Sequence, residues 1–260
     1  MIAVVTGASS GIGEATARRL ARDPAWRLVL VARRRERLEA LARELGGATV
    51  VAVDLTEADA PARVREAIER EHGGRVHLLV NNAGAGGRGP FGESGWEGVR
   101  ATMALNFDAQ VRLTEALLPL LRASAPSSIV NVSSTAGRVA RGGSGAYSAS
   151  KFALAGWSDS LHLEERRHGV HVGLVLPGFV ATEGFPQRQL VDRALTRWLV
   201  AKPDTIARAI IEAGPGGKAE RYAPRPYWLA AALRLLVPGI VRRALGGGPI
   251  ASATTGATRN

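Results

Sequence analysis

Ile2-Ala3-Val4-Val5-Thr6-Gly7-Ala8-Ser9-Ser10-Gly11-Ile12-Gly13 is the stretch that decides the fold. Residues 2–5 form an unbroken apolar run of the kind used by strands buried on both faces. A glycine-rich turn follows, and residues 14–22 then read as a helix. Gly7 permits a sharp exit from the strand, while Gly11 and Gly13 let a ligand and the sheet come close to the backbone. The first-turn N–H groups of such a helix point at an anion, and the helix dipole assists. The spacing is Gly-x-x-x-Gly-x-Gly, not the Gly-x-Gly-x-x-Gly of the commoner dinucleotide fingerprint.

Outward from this stretch, short apolar runs alternate with amphipathic ones. Strands are expected at residues 27–32, 49–53, 78–80, 128–132, 170–176 and 219–223. Helices are expected up to residue 45, over 57–71, as one long element over 97–121, from Tyr147 to about 168, and over 203–213. This alternation predicts an α/β fold, a single Rossmann-type doubly wound parallel sheet with helices on both faces. Residues 1–223 are read as one catalytic domain, 224–245 as an amphipathic helical extension and 246–260 as a disordered tail. Every candidate motif falls just after the C-terminal end of a strand, where open parallel sheets bind their ligands.

At the end of the second expected strand stands Ala32 with no acid, followed by Arg33. In a dinucleotide fold a carboxylate here accepts from the 2′-hydroxyl of NAD, whereas an Arg accommodates the 2′-phosphate of NADP. The fork of donors on Arg33 suits a phosphate, and Arg34, Arg35 and Arg37 read as decoration of a solvated helix. Asn106 interrupts an apolar periodicity, either as a satisfied buried group or as a functional one. Tyr147 and Lys151, four apart, share one helix face. An ammonium there favours the ionised phenol, and a phenol so tuned can exchange a proton with a substrate oxygen. Alone, the pair reads more readily as surface decoration on an amphipathic helix.

The bulk composition narrows the chemistry. There are no cysteines, so disulfides, thiolate metal sites and Cys nucleophiles are excluded. The five His show no ligand spacing, so no metal is expected. The net charge of +11 comes mostly from Arg, with Lys only at 151, 202 and 218. That sign suits an anionic ligand, partner or membrane surface. Basic residues are interleaved with acids along the chain, which argues against nucleic acid. With no signal peptide and no apolar run long enough to span a bilayer, a cytoplasmic location is expected.

Together these residues resemble the short-chain dehydrogenase/reductase family, of the NADP-preferring type, over roughly residues 1–215. The elements stand in family order: the Thr6 to Gly13 turn, Asp54-Leu55, Asn81-Asn82-Ala83-Gly84, Asn106, Ser134, Tyr147-x-x-x-Lys151, and Pro177-Gly178 with Thr182. The resemblance implies an NADP(H)-dependent oxidoreductase that interconverts a ketone or aldehyde and an alcohol. It implies Tyr147 as acid/base and Lys151 as the group that lowers its pKa and holds the nicotinamide ribose. Ser134 is preferred to Ser133 for the substrate oxygen, because the family spacing lands on it. Asn106 is implied to position a water leading to Lys151. Gly7, Ser9, Ser10, Gly11, Ile12 and Gly13 are implied at the pyrophosphate side. Asp54 and Leu55 are implied at the adenine, Asn82, Ala83 and Gly84 at its ribose, and Val180 and Thr182 at the carboxamide, with Pro177 and Gly178 among the cofactor-binding residues. A regulatory or scaffolding protein that binds the cofactor without turnover is the alternative on the same fold.

The resemblance also implies a substrate lid over residues 184–201, whose apolar residues suggest a hydrophobic carbonyl or alcohol substrate. Core packing would leave the same pattern there. Residues 224–245 place Trp228, Leu229, Ala232, Leu235 and Leu236 on one helical face, with a break at Pro238. Three readings stay open for this segment: packing on its own subunit, contact with another copy in a homo-oligomer (dimer or tetramer), or rest on an anionic membrane surface.

Overall fold

A computed structural model of the chain describes residues 1–86, 89–183 and 200–247. Seven parallel strands form the central sheet: β1 (Ile2–Thr6), β2 (Arg27–Ala32), β3 (Thr49–Ala52), β4 (Leu78–Asn81), β5 (Ser127–Val132), β6 (Val170–Pro177) and β9 (Glu220–Ala223). Their order is β3-β2-β1-β4-β5-β6-β9. A separate two-stranded ribbon pairs β7 (Phe179–Val180) with β8 (Val200–Ala201). The helices are α1 (Gly11–Leu20), α2 (Arg35–Glu44), α3 (Ala60–His72), α4 (Phe91–Met103), α5 (Ala109–Ala123), α6 (Gly145–Glu165), α7 (Pro203–Ala213), α8 (Tyr227–Leu236) and α9 (Pro238–Gly247). This is the α/β Rossmann-like architecture expected from the alternation of apolar runs.

Both faces of the sheet are covered, and successive strand residues divide between two cores. Ala3, Val5, Leu28 and Leu30 pack with Leu20, Leu38, Leu41 and Ile210 from α1, α2 and α7. Val4, Val29 and Val31 pack with Val64 and Ile68 of α3 and with Leu113, Leu117 and Leu121 of α5. The period of two along a strand and four along a helix is the geometric reason for this sorting. Each fully buried Leu contributes about 1.5–3 kcal/mol relative to exposure. Arg122 clamps α5 to α6 through Glu165, with bonds of 2.6 and 2.8 Å.

The strand order reverses between β1 and β4, so the loops leaving these neighbouring strands diverge and open a crevice at their C-terminal ends. Thr6 holds the two lips together. Its hydroxyl donates to Val80 O at 3.0 Å and accepts from the Asn82 and Ala83 N–H groups at 2.9 and 3.0 Å. Deeper in the sheet, Asn81 Nδ2 donates to Asn131 Oδ1 and to Thr114 Oγ1, both at 2.9 Å. Asn131 Nδ2 in turn donates to Ser158 Oγ at 2.8 Å. These bonds satisfy polar groups beneath the site that burial would otherwise penalise.

One local expectation is refined, and one open reading narrows. The helix expected over 97–121 is preceded by a short helical turn from Phe91, set off from it by the non-helical Gly95 (φ 55°, ψ −161°). It is then interrupted by a π turn, Ala104–Asp108. The C-terminal segment forms two helices that meet at Pro238, and its apolar residues stay exposed: Leu235 is 81% and Leu236 78% accessible. Packing on the same subunit therefore does not cover that face among the described residues. The expected lid lies outside the described residues except for its last two positions, Val200 and Ala201, which form β8. The expected tail also lies outside them, except for Gly246 and Gly247 at the end of α9.

Candidate active site

The glycine-rich turn is built by close backbone contact. Gly7 has φ 67°, in the left-handed region, and a Cβ on it would lie 2.8 Å from Asn82 Nδ2. A Cβ on Gly13 would lie 2.3 Å from the Gly7 carbonyl oxygen. Ser10 precedes α1 in extended conformation and makes no side-chain cap, so the first turn offers its N–H groups without a side-chain acceptor. Gly11 faces Thr182 closely, and a cleft of about 440 Å³ runs between Gly11, Glu14 and Arg18 on one side and Thr182 and Glu183 on the other. Ile12 is partly buried against the core beneath the turn. A phosphate-bearing cofactor fits this cradle: donors converge, side chains are absent where backbone must approach, and basic groups stand at the rim.

Arg33 leaves the end of β2 with its side chain 73% exposed, and Nη1 lies 3.5 Å from Asp54 Oδ2. Asp54 Oδ1 accepts from the Thr56 N–H and hydroxyl at 3.0 and 2.8 Å. The bond from the Thr56 N–H, helped by the Thr56 hydroxyl and Arg33 and opposed by partial burial, holds the Asp54 carboxyl below its usual range. Leu55 has its side chain in the core, so only its backbone faces outward. Arg34 overturns its reading as decoration. Its guanidinium donates to Ser10 Oγ at 2.7 Å and to Ser9 Oγ at 3.0 and 3.1 Å, gripping the turn. Arg37 is engaged as well, by Glu183 at 2.9 Å.

A second cluster gathers beyond β5. Ser134 caps a short turn, Thr135–Gly137, with Oγ accepting from the Ala136 N–H at 3.1 Å. Its Oγ donates to Pro177 O at 3.5 Å, and its hydroxyl stands near enough to the Tyr147 phenol to favour the ionised form. The neighbouring Ser133 instead donates to Lys151 O at 2.8 Å, anchoring α6 to the sheet. Burial pushes the Tyr147 phenol up, while the Ser134 hydroxyl and the Arg141 charge pull it down, and burial prevails. Lys151 is buried. Its Nζ donates to Val132 O at 2.9 Å and lies 5.9 Å from the centre of the Tyr147 ring. Burial pushes its ammonium down to about 8.

Asn106 sits at the middle of the π turn, fully buried. Its Oδ1 accepts from the Ala85 N–H at 2.9 Å, and its Nδ2 donates to Ala85 O at 3.0 Å and Ser150 Oγ at 3.1 Å. Ser150 Oγ donates in turn to Tyr147 O at 2.8 Å. Asn106 thus ties the loop after β4 to the helix carrying Tyr147. A Cβ on Gly84 would lie 3.0 Å from Asn106 Oδ1 and 3.6 Å from Lys151 Nζ, so the loop runs directly beside the ammonium.

The other wall comes from residues after β6. Tyr227, at the start of α8, lies against Gly178, and its ring meets Phe179 edge-on with centroids 6.5 Å apart. The Arg141 guanidinium stacks over the opposite partner of this pair, 4.8 Å from the centre of Phe179. Val180 is buried in the ribbon with β8. Among the described residues no group of His, Asp or Glu side chains could hold a metal ion.

The described set therefore brings Ser134, Tyr147, Lys151 and Asn106 together beside the Thr6 to Gly13 turn and the Asn82 to Gly84 loop. The family profile described as short chain dehydrogenase matches residues 1–190. The chain belongs to the short-chain dehydrogenase/reductase family. It is 34% identical over 259 residues to an uncharacterized oxidoreductase of Myxococcus xanthus (strain DK1622), covering 90% of this chain and 96% of that protein. It is 34% identical over 240 residues to a 3-ketodihydrosphingosine reductase of Bacteroides thetaiotaomicron, covering 91% of this chain and 83% of the other. Among solved structures, L-sorbose reductase from Gluconobacter frateurii, complexed with NADPH and L-sorbose, superposes with a TM-score of 0.75 at 27% identity. That match covers 85% of this chain and 93% of the reductase.

Sequence reasoning missed Arg34, Arg141 and Tyr227. Arg34 sits in a run of three Arg, and nothing local separates it from its neighbours. Arg141 lies in a Gly-rich segment with no periodicity to read, and Tyr227 reaches the site only because β9 delivers α8 beside β6.

Proposed function

We propose that this oxidoreductase is NADP(H)-dependent and interconverts a ketone or aldehyde and an alcohol, with Tyr147 as the acid/base. The observation that carries the reading is the gathering of Tyr147 with the buried Ser134 and Lys151, whose Nζ lies 5.9 Å from the centre of the Tyr147 ring. The nicotinamide cofactor, when bound, supplies or accepts the hydride. Burial keeps the phenol protonated near neutral pH, which is the form that donates a proton. In reduction, Tyr147 gives its proton to the carbonyl oxygen as charge develops there, while the Ser134 hydroxyl donates a hydrogen bond to the same oxygen. Lys151 restores the proton through its ammonium, and Asn106 holds the loop and helix in the geometry that this requires.

The NADP assignment is supported by Arg33, which has no acid in its place at the end of β2, and by the grip of Arg34 on Ser9 and Ser10. A structural neighbour solved with NADPH adds support. The reading extends to a hydrophobic substrate and a homo-oligomer acting in the cytoplasm. Exposed Phe152 and Leu163 on α6 favour self-association, since copies of a chain commonly cover such side chains.

The test is Tyr147→Phe. Cofactor binding should persist while turnover falls about 10²–10⁴-fold, the usual contribution of a positioned acid/base. Wild-type turnover in this variant would remove the mechanism. For the cofactor, fluorescence titration should show tighter binding of NADPH than NADH, with the difference narrowed in Arg33→Ala. Tighter NADH binding, or an unchanged preference in the variant, would overturn the assignment.

A further inference from the structure

We propose that α8 and α9 form a docking surface for an anionic lipid bilayer, mounted beside the substrate side of the site. The two helices expose Trp228, Leu229, Leu233, Leu235, Leu236 and Ile240. Water-facing apolar residues at this density on consecutive helices mark a surface that is covered in use. Residues 224–247 carry Arg225, Arg234, Arg242 and Arg243 and no Asp or Glu. Several exposed Arg residues elsewhere have acids beside them, as in Arg18 with Glu14 and Glu44, Arg63 with Glu57, and Arg65 with Glu69. Among the described residues none of the four C-terminal Arg makes an ion pair. Exposed aliphatics, a tryptophan and unpaired Arg form the combination that lies in a bilayer interface and reads anionic headgroups.

The geometry fits a surface contact and not a span. No helix among the described residues is long and apolar enough to cross a membrane, and α8 at ten residues reaches only about 15 Å. The mounting is firm at one end. Ala231 is buried, and Tyr227 packs on Gly178 and Phe179, next to Arg141 and the Tyr147 cluster. α8 therefore links the docking surface to the wall of the candidate active site.

The experiment is co-sedimentation of the full chain with phosphatidylcholine vesicles, with and without about a third phosphatidylglycerol. Binding should be about tenfold or more stronger to the anionic vesicles and should weaken as salt rises. The double variant Leu235→Glu, Leu236→Glu changes two side chains that make no core contact, so its melting temperature should match wild type. Its partitioning should fall about tenfold or more. The triple variant Arg234→Gln, Arg242→Gln, Arg243→Gln should lose the preference for anionic vesicles and keep the fold. Equal partitioning of wild type and the Leu variant would overturn the proposal. So would equal binding to neutral and anionic vesicles. A dimer in sedimentation velocity that the Leu variant dissociates, without vesicle binding by wild type, would also overturn it and assign the face to a second copy. Vesicle binding is read without turnover, so its failure is distinct from a failure of the oxidoreductase reading.

Discussion

The guanidinium of Arg141 lies 4.8 Å from the centre of the Phe179 ring, and its charge is one of the two influences that pull the Tyr147 phenol down. Burial also lowers the readiness of Arg141 itself to carry charge, an effect opposed by Tyr227 and Tyr147. Alcohol oxidation needs the phenolate, which the cation favours. In Arg141→Met the phenol should titrate higher, moving the alkaline rise of kcat/KM for oxidation to higher pH. Arg141→Lys should move it less. An unmoved profile in the Met variant would detach Arg141 from the acid/base.

Lys151 should impose a pH limit on reduction. Its ammonium, pushed down to about 8 by burial, is lost as pH rises through that value. The kcat/KM for carbonyl reduction should therefore fall above about pH 8. Stability should run the other way. Between about 8 and the higher pKa of an unfolded Lys, the unfolded chain binds more protons, so stability rises with pH across that window. Below it the cost of burying the charge is felt in full. Unfolding free energies from urea melts at pH 7 and 9 should differ by on the order of 1 kcal/mol from this group, and Lys151→Met should remove that share.

Gly13 and Gly142 make a matched pair. A methyl on Gly13 collides with the Gly7 carbonyl at 2.3 Å, whereas one on Gly142 meets nothing within 4 Å. Gly13→Ala should cost about 3 kcal/mol or abolish cofactor binding. Gly142→Ala should stay within about 0.5 kcal/mol of wild type. Denaturant melts with NADPH titration decide both, and a silent Gly13→Ala would contradict the packing of the turn.

Asn106→Ala leaves both polar groups of Ala85 and the Ser150 hydroxyl without this partner. The expected loss is about 2–4 kcal/mol in urea unfolding, together with a fall in kcat. A loss below about 1 kcal/mol would mean that water replaces the amide without strain.

Much of the fold was legible because its signals are local. The run Ile2 to Val5 followed by Gly7, Gly11 and Gly13 states strand, turn and helix within twelve residues. The spacing from Ser134 to Tyr147 and Lys151 crosses one turn and one helix start, so it too survives as a linear pattern. What escaped depends on distant packing. Arg34 grips Ser9 and Ser10 because β2 lies beside β1, and Tyr227 reaches Phe179 because β9 pairs with β6. The π turn around Asn106 escaped because apolar periodicity averages over a single extra residue.

That turn also limits how this stretch of chain can vary in length. One residue inserted into a helical turn rotates everything downstream by about 100°. The row Leu113, Leu117 and Leu121 meets the sheet only with that rotation included, while Asn106 stays aimed at Ala85 and Ser150. Removing one residue from 104–108 would let the helix run straight, but it could no longer satisfy both ends at once. Either the leucines turn away from the core or the amide turns away from the loop. The exposed Gly46-Gly47 turn can gain or lose a residue without such a conflict; residues 104–108 form a phase-setting insert whose length cannot change.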